Sequence, residues 1–171
     1  VSGILCLFLL AAPQGLAPDW ELKPNVLRIA QDSAPLRPLL EQLDPAKWET
    51  PGGPSAYQAQ LRESLQAIDD LHNAAARLAE NPSKLTVALE TLLRLEHLVA
   101  RVQSIAEGVR RYQNPAVAEI LEGVLAAPLN SRDWLRTHVS EVAATREKEL
   151  EVAQKEADKC RAQIQRQGSR K

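Results

Sequence analysis

Apolar side chains recur at helical spacing through most of this chain, and prolines mark where one such segment gives way to the next. From Pro24 to Leu43 the stripe comprises Val26, Leu27, Ala30, Ala34, Leu36, Leu39, Leu40 and Leu43, interrupted by Pro35 and Pro38. Proline removes a ladder donor and crowds the preceding turn. The pattern therefore predicts a helix in two pieces, broken near Asp32 and Ser33, which can cap the second piece. Pro45, Pro51, Pro54, Gly52 and Gly53 predict a loop over residues 44–54, with Trp48 as a plug over one end of the fold. Ser55 and Gln58 have capping-box spacing, and Tyr57, Leu61, Leu65, Ile68, Leu71, Ala75 and Leu78 mark one helical face as far as Glu80.

Asn81-Pro82-Ser83 should end that helix and open the next, with Ser83 as its cap, so that the two fold back as an antiparallel hairpin. Across residues 84–113 the face comprises Leu85, Leu89, Leu92, Leu95, Val99, Val102, Ile105, Val109 and Tyr112, widened by Ala88, Leu93 and Leu98. A stripe that wide belongs at the centre of a bundle. After Asn114-Pro115, a short helix with Val117, Ile120, Leu121, Val124 and Leu125 should stop at Pro128. A final helix is expected from Asn130 or Ser131 to Gln167, leaving Gly168 to Lys171 as a frayed basic tail.

The fold class that follows is all-α: an antiparallel helical bundle of four to five helices in a single domain over residues 18–167. At 1.5 Å per residue the final helix would be about 55 Å long, against about 45 Å for the one spanning 84–113, so its end should project beyond the bundle. Within it Val139, Ala143, Arg146, Leu150, Ala153, Ala157, Cys160 and Ile164 alternate steps of four and three, the heptad spacing of a coiled-coil seam. Three alanines, an arginine and a cysteine make that seam narrow. It is nonetheless the candidate surface for a protein partner or a second copy of the chain.

The first seventeen residues carry an uncharged apolar run, Ile4 to Ala12, closing on Gly15-Leu16-Ala17. A bilayer-spanning helix needs about 20 apolar residues, so the run reads as a secretory signal peptide, although no Lys or Arg precedes it. The expected location is periplasmic or secreted. Removing 17 residues from 171 leaves 154, enough for one core. Cys6 would leave with the signal and Cys160 would be the one remaining thiol, which excludes an internal disulfide. In an oxidising compartment Cys160 is instead a candidate for an intermolecular disulfide.

Composition narrows the function. Aromatic residues are only 4% of the chain, so the core should be aliphatic. A formal net charge of -1 with 25% charged residues offers no excess to attract nucleic acid or an anionic membrane, and neither is an expected partner once the signal is removed. His72, His97 and His138 fall on three different helices without the close ligand spacing of zinc sites. Asp69-x-x-His72 occurs once, where di-iron bundles use Glu-x-x-His twice. No metal and no cofactor are therefore expected. No phosphate-binding glycine loop, nucleophile elbow, His-Glu-x-x-His or Cys-x-x-Cys is present, and the carboxylates at Asp69-Asp70 and from Glu147 to Glu151 read as solvated helix faces.

These absences predict a non-enzymatic chain without catalytic residues. Its rival is a small-ligand or metal-binding bundle, supported only by the three histidines. Gly108 stands inside a long helix, where glycine costs about 1 kcal/mol relative to alanine, so something should pack closely against it. Arg110 and Arg111 beside it are either surface charges or a contact for an anion.

Several stretches, Ile29-Ala30-Gln31-Asp32, Leu39-Leu40-Glu41, Pro45-Ala46-Lys47-Trp48, Ala56-Tyr57, the run from Ala106 to Pro115, and the segment from Lys148-Glu149 to Cys160-Arg161, together resemble an uncharacterised family of exported all-helical proteins from environmental bacteria. The likeness covers nearly all of the chain beyond the apolar leader. It implies an exported, single-domain helical protein. No activity is assigned to that family, so the resemblance supplies no functional residues.

Overall fold

The broadest apolar stripe in the chain sits at the middle of the fold. In the computed structural model, which describes residues 16–48 and 52–168, the elements in order are α1 (Asp19–Ser33), α2 (Leu36–Glu41), a 3-10 turn (Pro45–Trp48), α3 (Ala56–Glu80), α4 (Leu85–Tyr112) and α5 (Pro115–Gly168). No strand occurs among the described residues. The expected signal segment lies almost wholly outside them, as does most of the basic tail.

α4 packs between α3 and α5, and α1 closes the ring by packing on α3 and α5. Direction follows from three contacts at one end. The α3–α4 connection meets the start of α1 through Ser83 Oγ donating to Asp19 Oδ1 at 3.0 Å. It meets α5 through His138 against the Pro82 carbonyl and Arg146 against the Ser83 carbonyl. The four long helices therefore alternate in direction, as an up-down-up-down bundle does. Ile68, Leu71, Leu78, Leu95, Leu98, Val102, Ile105, Leu121, Leu125 and Leu135 are buried in one continuous aliphatic core. At about 1.5–3 kcal/mol for each large apolar side chain removed from water, this burial is the main force holding the helices together.

The opposite end is closed by Trp48, only 2% exposed, with its Nε1 donating to Gln113 Oε1 at 3.1 Å. Its ring meets Tyr57 edge-on, and Tyr57 meets Tyr112 in the same way, with centroids 5.3 and 6.1 Å apart. Gly108 is what admits the two rings. A Cβ there would stand 2.8 Å from Tyr57 Cε1 and 2.9 Å from Trp48 Cζ3. Gly53 is a second close approach, its N–H donating to the Trp48 carbonyl at 2.8 Å, with room for no side chain beside it.

Several local expectations need correction. Pro128 does not end a helix: α5 runs through it for 54 residues, about 81 Å at the ideal rise. An interior proline costs about 3 kcal/mol, but Leu121 and Leu125 before it and Leu135 and Val142 after it are all buried on the same bundle, and their burial outweighs that cost. α1 likewise begins at Asp19, ahead of Pro24, which stands inside it on the solvent face.

None of the expected serine caps forms either. Ser55 occupies the N-cap of α3 in a helical conformation with no side-chain cap bond. Ser33 is buried and donates back to the Ile29 carbonyl, while Ser83 reaches across to Asp19. Ser131, read as a helix start, donates to Asp32 Oδ2 at 2.6 Å from within α5. Tertiary partners have taken the Ser83 and Ser131 hydroxyls that local pattern assigned to caps, and the turn before it has taken that of Ser33.

Gly108→Ala should therefore destabilise the bundle by about 1–3 kcal/mol, the usual range for overpacking, despite alanine's better helix propensity. Urea unfolding followed by circular dichroism measures this. A neutral or stabilised variant would show that the two rings yield.

Candidate interaction surface

The second half of α5 leaves the bundle. Val142 is the last buried residue of the helix among those described, Ala143 and Thr145 are half-buried, and every residue from 146 to 166 is exposed. These 21 positions extend about 30 Å beyond the α3–α4 connection. An isolated helix of this length would be marginal in water, because its first turn is costly to nucleate. Here the packed half of α5 supplies the nucleus. Ion pairs along the projection add to it: Arg146 with Glu149, Lys155 with Glu151, and Arg161 with Asp158, each three or four residues apart. Exposed pairs of this kind are worth about 0.3–0.5 kcal/mol apiece.

The predicted seam is split by this geometry. Val139 packs against the core and Ala143 is half-buried, so that end of the seam is occupied within the chain. Leu150, Ala153, Ala157, Cys160 and Ile164 continue the stripe into solvent, with Leu150 59% and Ile164 68% exposed. Val152, outside the heptad spacing, is also exposed. Cys160 is a free thiol on this face.

The three histidines do not converge. His72 Nε2 lies 3.1 Å from Ser33 Oγ, between α3 and α1, and His97 sits on the exposed face of α4 beside Arg101. His138 is buried on α5, where it stacks on Trp134 with the rings 5° from parallel and their centroids 5.2 Å apart. Its Nε2 donates to the Pro82 carbonyl at 2.8 Å, which places the proton on that nitrogen, and Nδ1 has no partner. Among the described residues no group of three or more His, Cys, Asp or Glu side chains could hold a metal ion.

Arg110 and Arg111 separate in the structure. Arg110 binds both carboxylate oxygens of Glu122 on α5, at 2.8 and 2.7 Å, and this hydrogen bonding raises the guanidinium above its ordinary pKa. Arg111 instead lies over the Tyr112 ring at 5.5 Å. A similar surface network crosses α3 and α4. Arg94 and Arg77 both reach Glu90, and the hydrogen bond from Arg94, followed by the two nearby positive charges, holds that carboxyl below the usual range.

Two concavities were not legible in the sequence. One, of about 270 Å³, lies between α3 and α4 and is lined by Ala67, Asp70, Leu93, Arg94 and His97. The other, of about 110 Å³, lies between α1 and α5 beside the Ser131–Asp32 hydrogen bond, with Arg28, Asn25, Asn130 and Trp134 around it. Each draws on two segments distant in sequence, so no local motif announces it. No described helix is long and apolar enough to cross a membrane. No family model, curated protein or solved structure matches this chain.

With Arg146 at its base on the Ser83 carbonyl and no buried side chain from 146 to 166, the projection should open locally at little cost. Hydrogen exchange read by mass spectrometry should show the amides of residues 146–166 exchanging orders of magnitude faster than those around Leu95, Leu98 and Val102. Equal protection in both regions would show that the projection is covered in solution.

Proposed function

We propose that this protein is an exported, non-enzymatic interaction module that works through the projecting half of α5, by self-association or by binding another protein. The observation that carries the proposal is the contrast within one helix, packed as far as Val142 and exposed at every position from 146 to 166. Ordering some twenty residues of helix away from any core costs backbone entropy of about 1–2 kcal/mol each, offset only by local hydrogen bonds and weak ion pairs. A seam of Leu150, Ala153, Ala157, Cys160 and Ile164 along that helix gives it a face to bury. Export is supported by the apolar run from Ile4 to Ala12 with small residues at Gly15 and Ala17. The same sequence features argue against catalysis, since no nucleophile, base and anion-stabilising set shares a motif.

A photo-crosslinking amino acid placed at Leu150 in the producing cell should give a discrete adduct, either with the chain itself or with one other protein. The same group at exposed Ala76 on α3 should give none. No adduct from Leu150, or the same smear from both positions, would refute the proposal. The purified protein should also carry far less than one equivalent of metal and no visible absorbance. A stoichiometric metal or a coloured ligand would instead establish the bundle as a cofactor carrier.

A further inference from the structure

From the direction of the exposed seam and the order of charges along it, we infer that the projecting half of α5 pairs antiparallel with that of a second copy, forming a two-fold symmetric dimer. This rests on the proposed interaction role and specifies its partner. The first ground is steric. Arg146, Leu150, Ala153, Ala157, Cys160 and Ile164 continue the stripe that Val139, Val142 and Ala143 lay against the bundle, so the exposed face points to the side on which the bundle lies. A second copy placed parallel on this face would bring its own lower helix into the space held by Pro82 and Ser83 of the α3–α4 connection, which Arg146 and His138 touch. An antiparallel copy avoids the collision. Its bundle lies at the far end, and the tip of each helix reaches the base of the other.

The second ground is charge. Towards the base of the projection Glu141, Glu147, Glu149 and Glu151 outnumber Arg146 and Lys148, whereas Lys159, Arg161 and Arg166 near the tip have no acidic residue beyond Asp158. Antiparallel pairing lays basic tip on acidic base twice, while parallel pairing sets like on like. The heptad spacing then fixes one register that uses the whole exposed seam. Leu150 faces the partner's Cys160, Ala153 faces the partner's Ala157, and Ile164 lies on the aliphatic stem of the partner's Arg146. Glu147 flanks the partner's Arg161. The symmetry is closed, so association stops at two copies. With alanines in the central layers the pairing is weak, and dimer forms in a concentration-dependent way.

Cys160 reports the arrangement. In this register two Cys160 residues are about 15 Å apart along the axis, while a thiol at position 150 falls opposite the partner's Cys160 within disulfide reach. The test compares the full chain carrying Cys6→Ser with the full chain carrying Cys6→Ser and Leu150→Cys. Both are exposed to copper phenanthroline in air, where paired thiols form S–S bonds and lose two protons and two electrons per bond to oxygen. Native mass is measured in parallel across protein concentration. A mass that doubles with concentration, and at least tenfold more linked dimer with Leu150→Cys than without it, is the expected result. Equal linking through Cys160 alone would show a parallel pair, which overturns this inference and leaves self-association standing. A monomeric mass up to millimolar concentration would also overturn it, while a Leu150 adduct with a different protein would still uphold the interaction role.

Discussion

The structure depends on keeping α5 helical across Pro128. A proline inside a helix removes one ladder bond and presses on the turn before it, and a free peptide of this sequence would break there. Burial decides otherwise. Leu121 and Leu125 on one side and Leu135 on the other belong to the same buried cluster, with Val142 buried further along, so a break would withdraw one side or the other from the bundle. The continuous rod that results aims everything beyond Val142 and sets the direction of the exposed seam.

At the other end, closure comes from aromatic rather than aliphatic packing. Trp48, Tyr57 and Tyr112 are three of only a few rings in the chain, and they gather around the one residue of α4 that has no side chain. The Trp48 indole and the carbonyl of the same residue are both claimed, by Gln113 and by Gly53, so Trp48 and Gly53 are fastened to each other at the bundle end. A chain without internal disulfides among its described residues thus secures its longest connection by ring packing and two hydrogen bonds.

Most of the fold was legible as periodicity. The faces of α3 and α4 fall where the leucine, isoleucine and valine spacing puts them, and the break between α1 and α2 follows Pro35 and Pro38. Gly108 also announced a close contact, because a glycine in a long helix has a cost that something must offset. Most of the errors share one cause. Pro128, Ser83 and Ser131 were each interpreted by local chemistry that tertiary contacts overrode, as the bonds from Ser131 to Asp32 and from Ser83 to Asp19 show, while Ser33 turns back on its own helix and Ser55 takes a helical conformation. The candidate surface was half legible. Heptad spacing marked its residues, but that Val139 and Ala143 are spent within the chain, whereas Leu150 to Ile164 are not, depends on where α3 turns into α4.

The exposed stretch of α5 has a consequence for the lifetime of the chain itself. Proteases act on extended backbone, and a helix that unwinds without disturbing a core offers such backbone far more often than any segment of α3 or α4. A single cut after residue 145 would shed the rod and leave the four-helix body folded, its aliphatic interior untouched. The exposed seam would then be removed irreversibly without the body of the protein being destroyed.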